Sequence, residues 1–238
     1  MVIFHFFLDL IFPKFCLGCG KEGIWLCPKC QAKILPVKTQ LCPGCGRISP
    51  RQRRGKYFGI YCQNCRRKYR PKLKGIIVAA YYVEGPIKEL IHNFKYNHIL
   101  ELETILGDLL AKSLKDNLKS ERDVIVTAVP LHFLRRAQRG YNQSEILARY
   151  VANKLKMPKN FQIIKKIRQT KPQVKLGGKK RLENLKNCYK IINKNIVRGQ
   201  TIILVDDVTT TGTTLNECAK VLREAGAKGI WGLVVAKG

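Results

Sequence analysis

The sequence predicts an α/β protein, a parallel sheet flanked by helices, preceded by a small metal-stapled domain. Three observations predict it. The apolar run Ile202–Val205 leads into Asp206, Asp207 and a Thr- and Gly-rich stretch; strand-like and helix-like segments follow one another from Gly75 to Val235; and four Cys-x-x-Cys pairs are confined to the amino-terminal part. A continuous apolar run bounded by polar residues suits an inner parallel strand, whose two faces are both buried.

The chain has 238 residues, of which 45% are hydrophobic, enough for one medium domain and a small one with a packed core. Met1–Phe12 is apolar, carries Asp9, lacks a basic leading region and is too short to span a bilayer. It is expected to be a helix packed on the body, with membrane contact as the alternative, and the lack of an export signal implies the cytoplasm.

Ten cysteines in that compartment argue against disulfides, and their spacing argues for metal. Cys16/Cys19, Cys27/Cys30, Cys42/Cys45 and Cys62/Cys65 are four knuckles, two of them followed by Gly20 and Gly46. Two knuckles bring four thiolates around one Zn²⁺, so four make two closed, structural sites. Taken in order, the first is Cys16, Cys19, Cys27 and Cys30 and the second Cys42, Cys45, Cys62 and Cys65; interleaved pairing, or a redox role for one knuckle, is the alternative. Cys188 and Cys218 fall outside the pattern and read as core.

Charge is the next feature that needs a cause. Lys and Arg number 45 against 16 Asp and Glu, a net charge of +29, more than solubility requires. Arg51, Arg53, Arg54 and Lys56 stand beside Tyr57, Phe58 and Tyr61, and Arg66, Arg67, Lys68, Arg70, Lys72 and Lys74 follow the last knuckle. Cations interleaved with aromatics suit single-stranded nucleic acid, where phosphates pair and bases stack. A uniformly basic composition is the competing explanation.

Residues 1–72 are therefore expected to form the amino-terminal helix and ribbons, and 73–238 a second domain, the composition changing after Pro71. Its expected elements are a strand from Gly75 to Val83, helices Pro86–Tyr96 and Leu100–Lys115, and an inner strand Val124–Val129. After Pro130 comes a basic loop with Leu131, His132, Arg135, Arg136 and Arg139, then a helix capped by Asn142 and Glu145 with Leu147, Val151 and Leu155 on one face. A basic loop between a strand end and a helix start is an anion site; His132 by itself reads as an ordinary loop residue. The polar, Gly-rich stretch from Arg168 to Asn184 is expected to be a mobile lid or a surface linker. A strand near Tyr189–Ile192, the central strand and a final strand Ile230–Val235 complete the domain.

The central strand carries the chemistry. A capping-box pattern of Thr214 with Glu217 and an apolar face of Leu215, Ala219 and Leu222 mark a helix that Gly226 ends. Its free N–H groups, with the hydroxyls of Thr209, Thr210, Thr211 and Thr213, suit a phosphate, and Gly212 admits close backbone approach. Asp206 and Asp207 are acceptor-only groups when ionised and suit paired ribose hydroxyls, directly or through Mg²⁺. Phosphate on the loop and ribose on the acids make a phosphoribosyl site.

At these residues the chain resembles the phosphoribosyltransferases that bind phosphoribosyl pyrophosphate. The resemblance implies that Asp206 and Asp207 face the ribose, that Val208, Thr209, Thr210, Thr211, Gly212, Thr213 and Thr214 wrap the 5′-phosphate, and that the sheet is of phosphoribosyltransferase type. Thr210 stands where the 6-oxopurine members carry Asp. For such a ligand the loop at Arg135, Arg136 and Arg139 is placed to take the pyrophosphate. The four knuckles, Arg139-Gly140-Tyr141-Asn142-Gln143, the pattern Thr170/Gln173/Leu176/Arg181/Asn184 and Val205–Gly212 together resemble the ComF family of competence-associated phosphoribosyltransferase-like proteins. That resemblance implies a double zinc ribbon fused to a phosphoribosyltransferase fold and a part in natural transformation. The expected ligands are phosphoribosyl pyrophosphate with Mg²⁺ and single-stranded DNA. The rival expectations are a working transferase with an unidentified base or amine acceptor, and an adaptor for a DNA-translocating helicase.

Overall fold

A computed structural model describes residues 13–48, 59–118, 123–170, 185 and 187–238. The expected amino-terminal helix, most of the expected lid, and Arg51, Arg53, Arg54, Lys56 and Tyr57 lie outside the described residues.

Two short helices belong to the Cys-rich part, α1 (Pro28–Gln31) and α2 (Gln63–Tyr69). The rest runs β1 (Gly75–Tyr81), α3 (Pro86–Tyr96), α4 (Leu102–Asn117), β2 (Val124–Ala128), α5 (Phe133–Arg139), α6 (Gln143–Lys154), β3 (Ile164–Lys166), β4 (Tyr189–Ile191), β5 (Thr201–Thr209), α7 (Thr213–Glu224) and β6 (Gly229–Lys237). The four long strands form one parallel sheet in the order β1-β6-β5-β2, and β3 pairs with β4 in a separate antiparallel ribbon. The α/β fold with a parallel sheet is as expected, whereas the strand at Tyr189 belongs to the small ribbon beside the sheet.

Successive residues of an inner strand point to opposite faces. On β5, Ile203 and Val205 join α3, α4 and α6 in one core, while Ile202 and Leu204 join α7, β3 and β4 in the other. Both faces of β5 and β6 are therefore covered, which is why their sequences read as apolar runs and not as alternation.

Where α4 crosses α6, Gly107 lies against Tyr150, and a Cβ there would come within 2.2 Å of the ring. The ring is held, because the Tyr150 hydroxyl donates to the Asp108 carboxylate at 2.5 Å. Replacing a helical Gly by Ala ordinarily stabilises by about 1 kcal/mol, but overpacking of this kind costs about 1–3 kcal/mol. Gly107→Ala is therefore expected to lower stability, read as an earlier denaturant midpoint; a later midpoint would show that the helices part without cost.

The Cys-rich part covers the exposed edge of β1. Gly59 O accepts from Ile76 N (2.9 Å), Val37 N donates to Ala79 O (3.0 Å), and Leu35 O accepts from Tyr81 N (3.0 Å). The fully buried Gln40 side chain donates to Val78 O (2.7 Å) and accepts from Val78 N (2.9 Å). An edge strand presents unpaired N–H and C=O groups, and here the ribbons satisfy them.

Three local expectations are corrected. β5 does not end at Val205 but runs to Thr209, because β6 continues alongside it with Asp206 opposite Val234 and Thr209 opposite Lys237. Helix α7 begins at Thr213 with Gly212 as its cap residue (φ 75°), so Thr214 is already helical and is not the cap. The basic stretch after Pro130 is helix α5 and not an irregular loop, and none of its residues is buried. The cap at Asn142 stands as expected, its side chain accepting from Ser144 N at 3.1 Å. No helix among the described residues is long and apolar enough to cross a membrane.

Candidate functional site

A cavity of about 520 Å³ opens beyond the carboxyl ends of β2 and β5, with Asp206 and Asp207 on its floor and Lys95, Arg135, Arg139 and Lys166 among its walls. Ligands of open α/β sheets sit at this end of the strands.

Asp206 and Asp207 are 9% and 3% exposed, and their oxygens are divided in an orderly way. Asp206 Oδ1 accepts from the Ser144 hydroxyl (2.8 Å) and from Asp207 N (2.9 Å). Asp207 Oδ1 accepts from Val208 N (2.5 Å) and lies 2.8 Å from Lys95 Nζ. Asp207 Oδ2 is buried without a partner. Burial, and secondarily the neighbouring Asp207 charge, push Asp206 up to about 7 against the opposing pull of Ser144 and Lys95. For Lys95, burial is the largest influence and favours the neutral amine, yet the ion pair and hydrogen bond to Asp207 outweigh it and hold the ammonium above its ordinary range.

On the opposite wall Lys166, at the end of β3, donates to Thr170 Oγ1 at 2.9 Å and lies over the Tyr189 ring. Burial first, and the nearby Arg135 guanidinium second, hold its ammonium below the ordinary lysine range. Arg135 also donates to Thr170 O at 3.3 Å, and Arg139 to Gln143 Oε1 at 2.7 Å while stacking over Tyr96.

Of the expected anion-loop residues, Leu131, Arg135 and Arg139 line this cavity. Arg136 instead pairs with Glu145 at 3.4 Å beside a neighbouring groove, and His132 is buried at the start of α5 with Nδ1 unpartnered. The Thr-rich loop forms the turn between β5 and α7. Gly212 N donates to Thr209 Oγ1 (3.1 Å), and the Thr211 and Thr213 hydroxyls are 2.7 Å apart. Gly212 has the left-handed φ of a turn, and a Cβ there would sit 3.1 Å from Ile76 Cδ1, so a side chain would be both strained and crowded. Lys95, Ser144 and Lys166 were not legible as site residues, since each reads as an ordinary element residue; the only signal was their place on segments adjoining the cavity.

The eight knuckle cysteines gather in two clusters, Cys16, Cys19, Cys27 and Cys30, and Cys42, Cys45, Cys62 and Cys65, with all four sulfurs of each within 4.8 Å of one another. The Cys19–Cys27 and Cys45–Cys62 sulfurs are 3.7 Å apart, against ~3.8 Å for two thiolates on a tetrahedral Zn²⁺. Cys27 N and Cys62 N donate to the Cys16 and Cys42 sulfurs at 3.3 and 3.2 Å, the kind of outer contact that orients a metal ligand. Gly18 and Gly44 keep space beside the metal ligands, since a Cβ on either would lie 2.7 and 2.9 Å from the sulfurs of Cys30 and Cys65. The two clusters fit two structural zinc sites, paired in sequence order.

Of the basic residues expected to meet nucleic acid, Arg66, Arg67 and Lys68 are on α2 and Arg70 caps it, all four exposed.

Comparison with known proteins agrees with both halves. The Phosphoribosyl transferase domain family matches residues 137–237 and the Double zinc ribbon domain family residues 7–66. Competence protein F of Haemophilus influenzae is 33% identical over 226 residues, spanning 92% of this chain and 93% of that protein. DNA utilization protein YhgH of Escherichia coli K12 is 30% identical, spanning 93% and 96%, and Competence protein ComFC of Bacillus subtilis is 25% identical, spanning 84% and 79%.

Proposed function

Since the chain belongs to the ComF family, we propose that it is a DNA-uptake protein that binds phosphoribosyl pyrophosphate in the cavity and single-stranded DNA on the exposed basic face of its ribbons. The observation that carries the ligand half is the meeting, in one cavity, of two buried acids with free oxygens and a wall of cations. Ribose hydroxyls donate to Asp206 and Asp207, and the turn from Val208 to Thr214 takes the 5′-phosphate. Arg135, Arg139 and Lys166 offset the pyrophosphate charge. Mg²⁺ accompanies the pyrophosphate and neutralises part of its charge. In this reading the protein works in the cytoplasm, and a DNA-translocating helicase of the competence machinery is its partner.

A phosphorus NMR time course of phosphoribosyl pyrophosphate and Mg²⁺ with the protein tests the ligand half. Signals that broaden yet persist identify a bound effector; unperturbed signals refute the reading. A second reading, a working transferase, is favoured by Tyr96 at the cavity rim beneath Arg139, a platform on which an acceptor base could stack. Pyrophosphate released only when a nucleobase or amine is added would decide for it.

The nucleic-acid half predicts a steep salt dependence. On single strands log K falls by about 0.7 per phosphate contact for each decade of salt. Replacing Arg66, Arg67, Lys68 and Arg70 together by Ser should therefore reduce the slope by up to about 3. A slope unchanged in that variant would remove α2 from the interface.

A further inference from the structure

The two acids leave few acceptor sites for a ligand, and the count is informative. Each Oδ1 already takes two donors: Ser144 and Asp207 N on Asp206, Val208 N and Lys95 on Asp207. Asp207 Oδ2 is buried without a partner, and both bonds that the described residues give to Asp206 fall on Oδ1. What remains is one oxygen per carboxylate with no partner among the described residues, as many acceptors as a vicinal diol has hydroxyls. Mg²⁺ is usually held by one or two carboxylates, with waters and substrate phosphates completing its six oxygens, so the number of oxygens does not decide. What counts against a resident metal is the ammonium from α3, which already lies 2.8 Å from Asp207 Oδ1 and compensates one charge of the acid pair.

We infer that Lys95 is a built-in cation of the acid pair, so that the ribose end of the ligand binds to Asp206 and Asp207 without a divalent metal between them. Mg²⁺ is then needed only at the pyrophosphate end. The placement follows from the fold. Asp207 has the strand parity of Ile203 and Val205, whose face packs against α3, so its carboxylate meets the last turn of that helix, where Lys95 projects. Sequence spacing alone gave Lys95 no role.

This inference rests on the phosphoribosyl reading, and ribose 5-phosphate, which lacks the pyrophosphate, separates the two. Its affinity should be measured by titration calorimetry in resin-depleted buffer with and without added Mg²⁺, the zinc content of the protein being checked before and after. The wild-type protein is expected to bind it with affinities within about threefold in the two buffers. Lys95→Met should bind at least tenfold more weakly without Mg²⁺ and recover part of the loss when it is added. Lys95→Arg, which keeps the charge, should stay independent of the metal. Binding by the wild type only when Mg²⁺ is present would overturn the inference and leave the phosphoribosyl reading standing. Binding of ribose 5-phosphate in neither buffer would overturn both. The wild-type comparison decides even if Lys95→Met fails to fold, and a well-folded Lys95→Met that binds as wild type does refutes the role.

Discussion

Asp206→Asn is expected to weaken ligand binding and at the same time to raise the stability of the empty protein. The folded state holds the Asp206 proton more tightly than the unfolded chain does, because burial, aided by the charge of Asp207, moves this acid from 3.8 up to about 7. Between about pH 4 and pH 7 the native protein thus carries more protons than the unfolded one, and stability falls as pH rises through that window. An Asn is neutral at every pH. It keeps the carbonyl that accepts from Ser144 and Asp207 N. At pH 8 the variant should be more stable by an amount on the order of a few kcal/mol, and the difference should close near pH 4. The loss of function has a separate cause. The oxygen left free for a ribose hydroxyl becomes an N–H donor, so the hydroxyl can only accept there and the charge-assisted bond to the carboxylate is lost; affinity for phosphoribosyl pyrophosphate should fall by about 10- to 100-fold. Thermal unfolding across this pH range and ligand titration check the two halves independently: parallel stability curves would contradict the raised acid, and retained affinity would contradict the ribose assignment.

The second large effect concerns the zinc cluster next to the phosphate turn. Tyr61, adjoining Cys62, places its hydroxyl 3.7 Å from where a Gly212 Cβ would be, beside Ile76. Lys237 at the end of β6 donates to Pro43 O between two cluster cysteines (3.0 Å), and Lys72 N donates to Asn216 Oδ1 on α7 (2.8 Å). The second ribbon is thus the underside of the turn that is proposed to hold the 5′-phosphate. Structural zinc binding is worth about 10–16 kcal/mol in small domains, and without it the ligand-bearing segments do not stay folded. Cys65→Ser is therefore expected to release one of two zinc equivalents and to weaken phosphoribosyl pyrophosphate binding at least tenfold. The first cluster packs elsewhere. Lys14 pairs with Glu101 at 3.1 Å and Trp25 donates to the same carboxylate ahead of α4, while Gly18 lies against Pro86. Cys30→Ser should release its zinc and lower stability yet spare the ligand affinity of the protein that remains folded. Zinc quantitation beside ligand titration distinguishes the two, and equal losses of affinity from both substitutions would show that the ribbons act only through global stability.

Much of this architecture was legible because its signals are local. Four knuckles with short, regular spacing define two thiolate clusters, and the apolar runs of β5 and β6 announce inner strands buried on both faces. Asn142 marks the start of α6 through a contact two residues away. Errors arose where a neighbour in space overrode the local pattern. β5 continues through two acids because β6 pairs with them, and Ile164–Lys166, too short and too basic to read as a strand, becomes one because it pairs with the expected strand at Tyr189.

The sequence by itself determined the class of the fold, the two metal clusters and the acid pair with its Thr-rich turn, since each is written in consecutive or regularly spaced residues. Only the tertiary structure decided which other groups share the cavity: Lys95 from α3, Ser144 from 62 positions before Asp206, and Lys166 from a ribbon outside the main sheet. The order β1-β6-β5-β2 and the docking of the ribbons on the edge of β1 were likewise hidden. The physical reason is that periodicity reports which face of an element is apolar, whereas the partner that covers this face is chosen by packing among elements far apart in the chain.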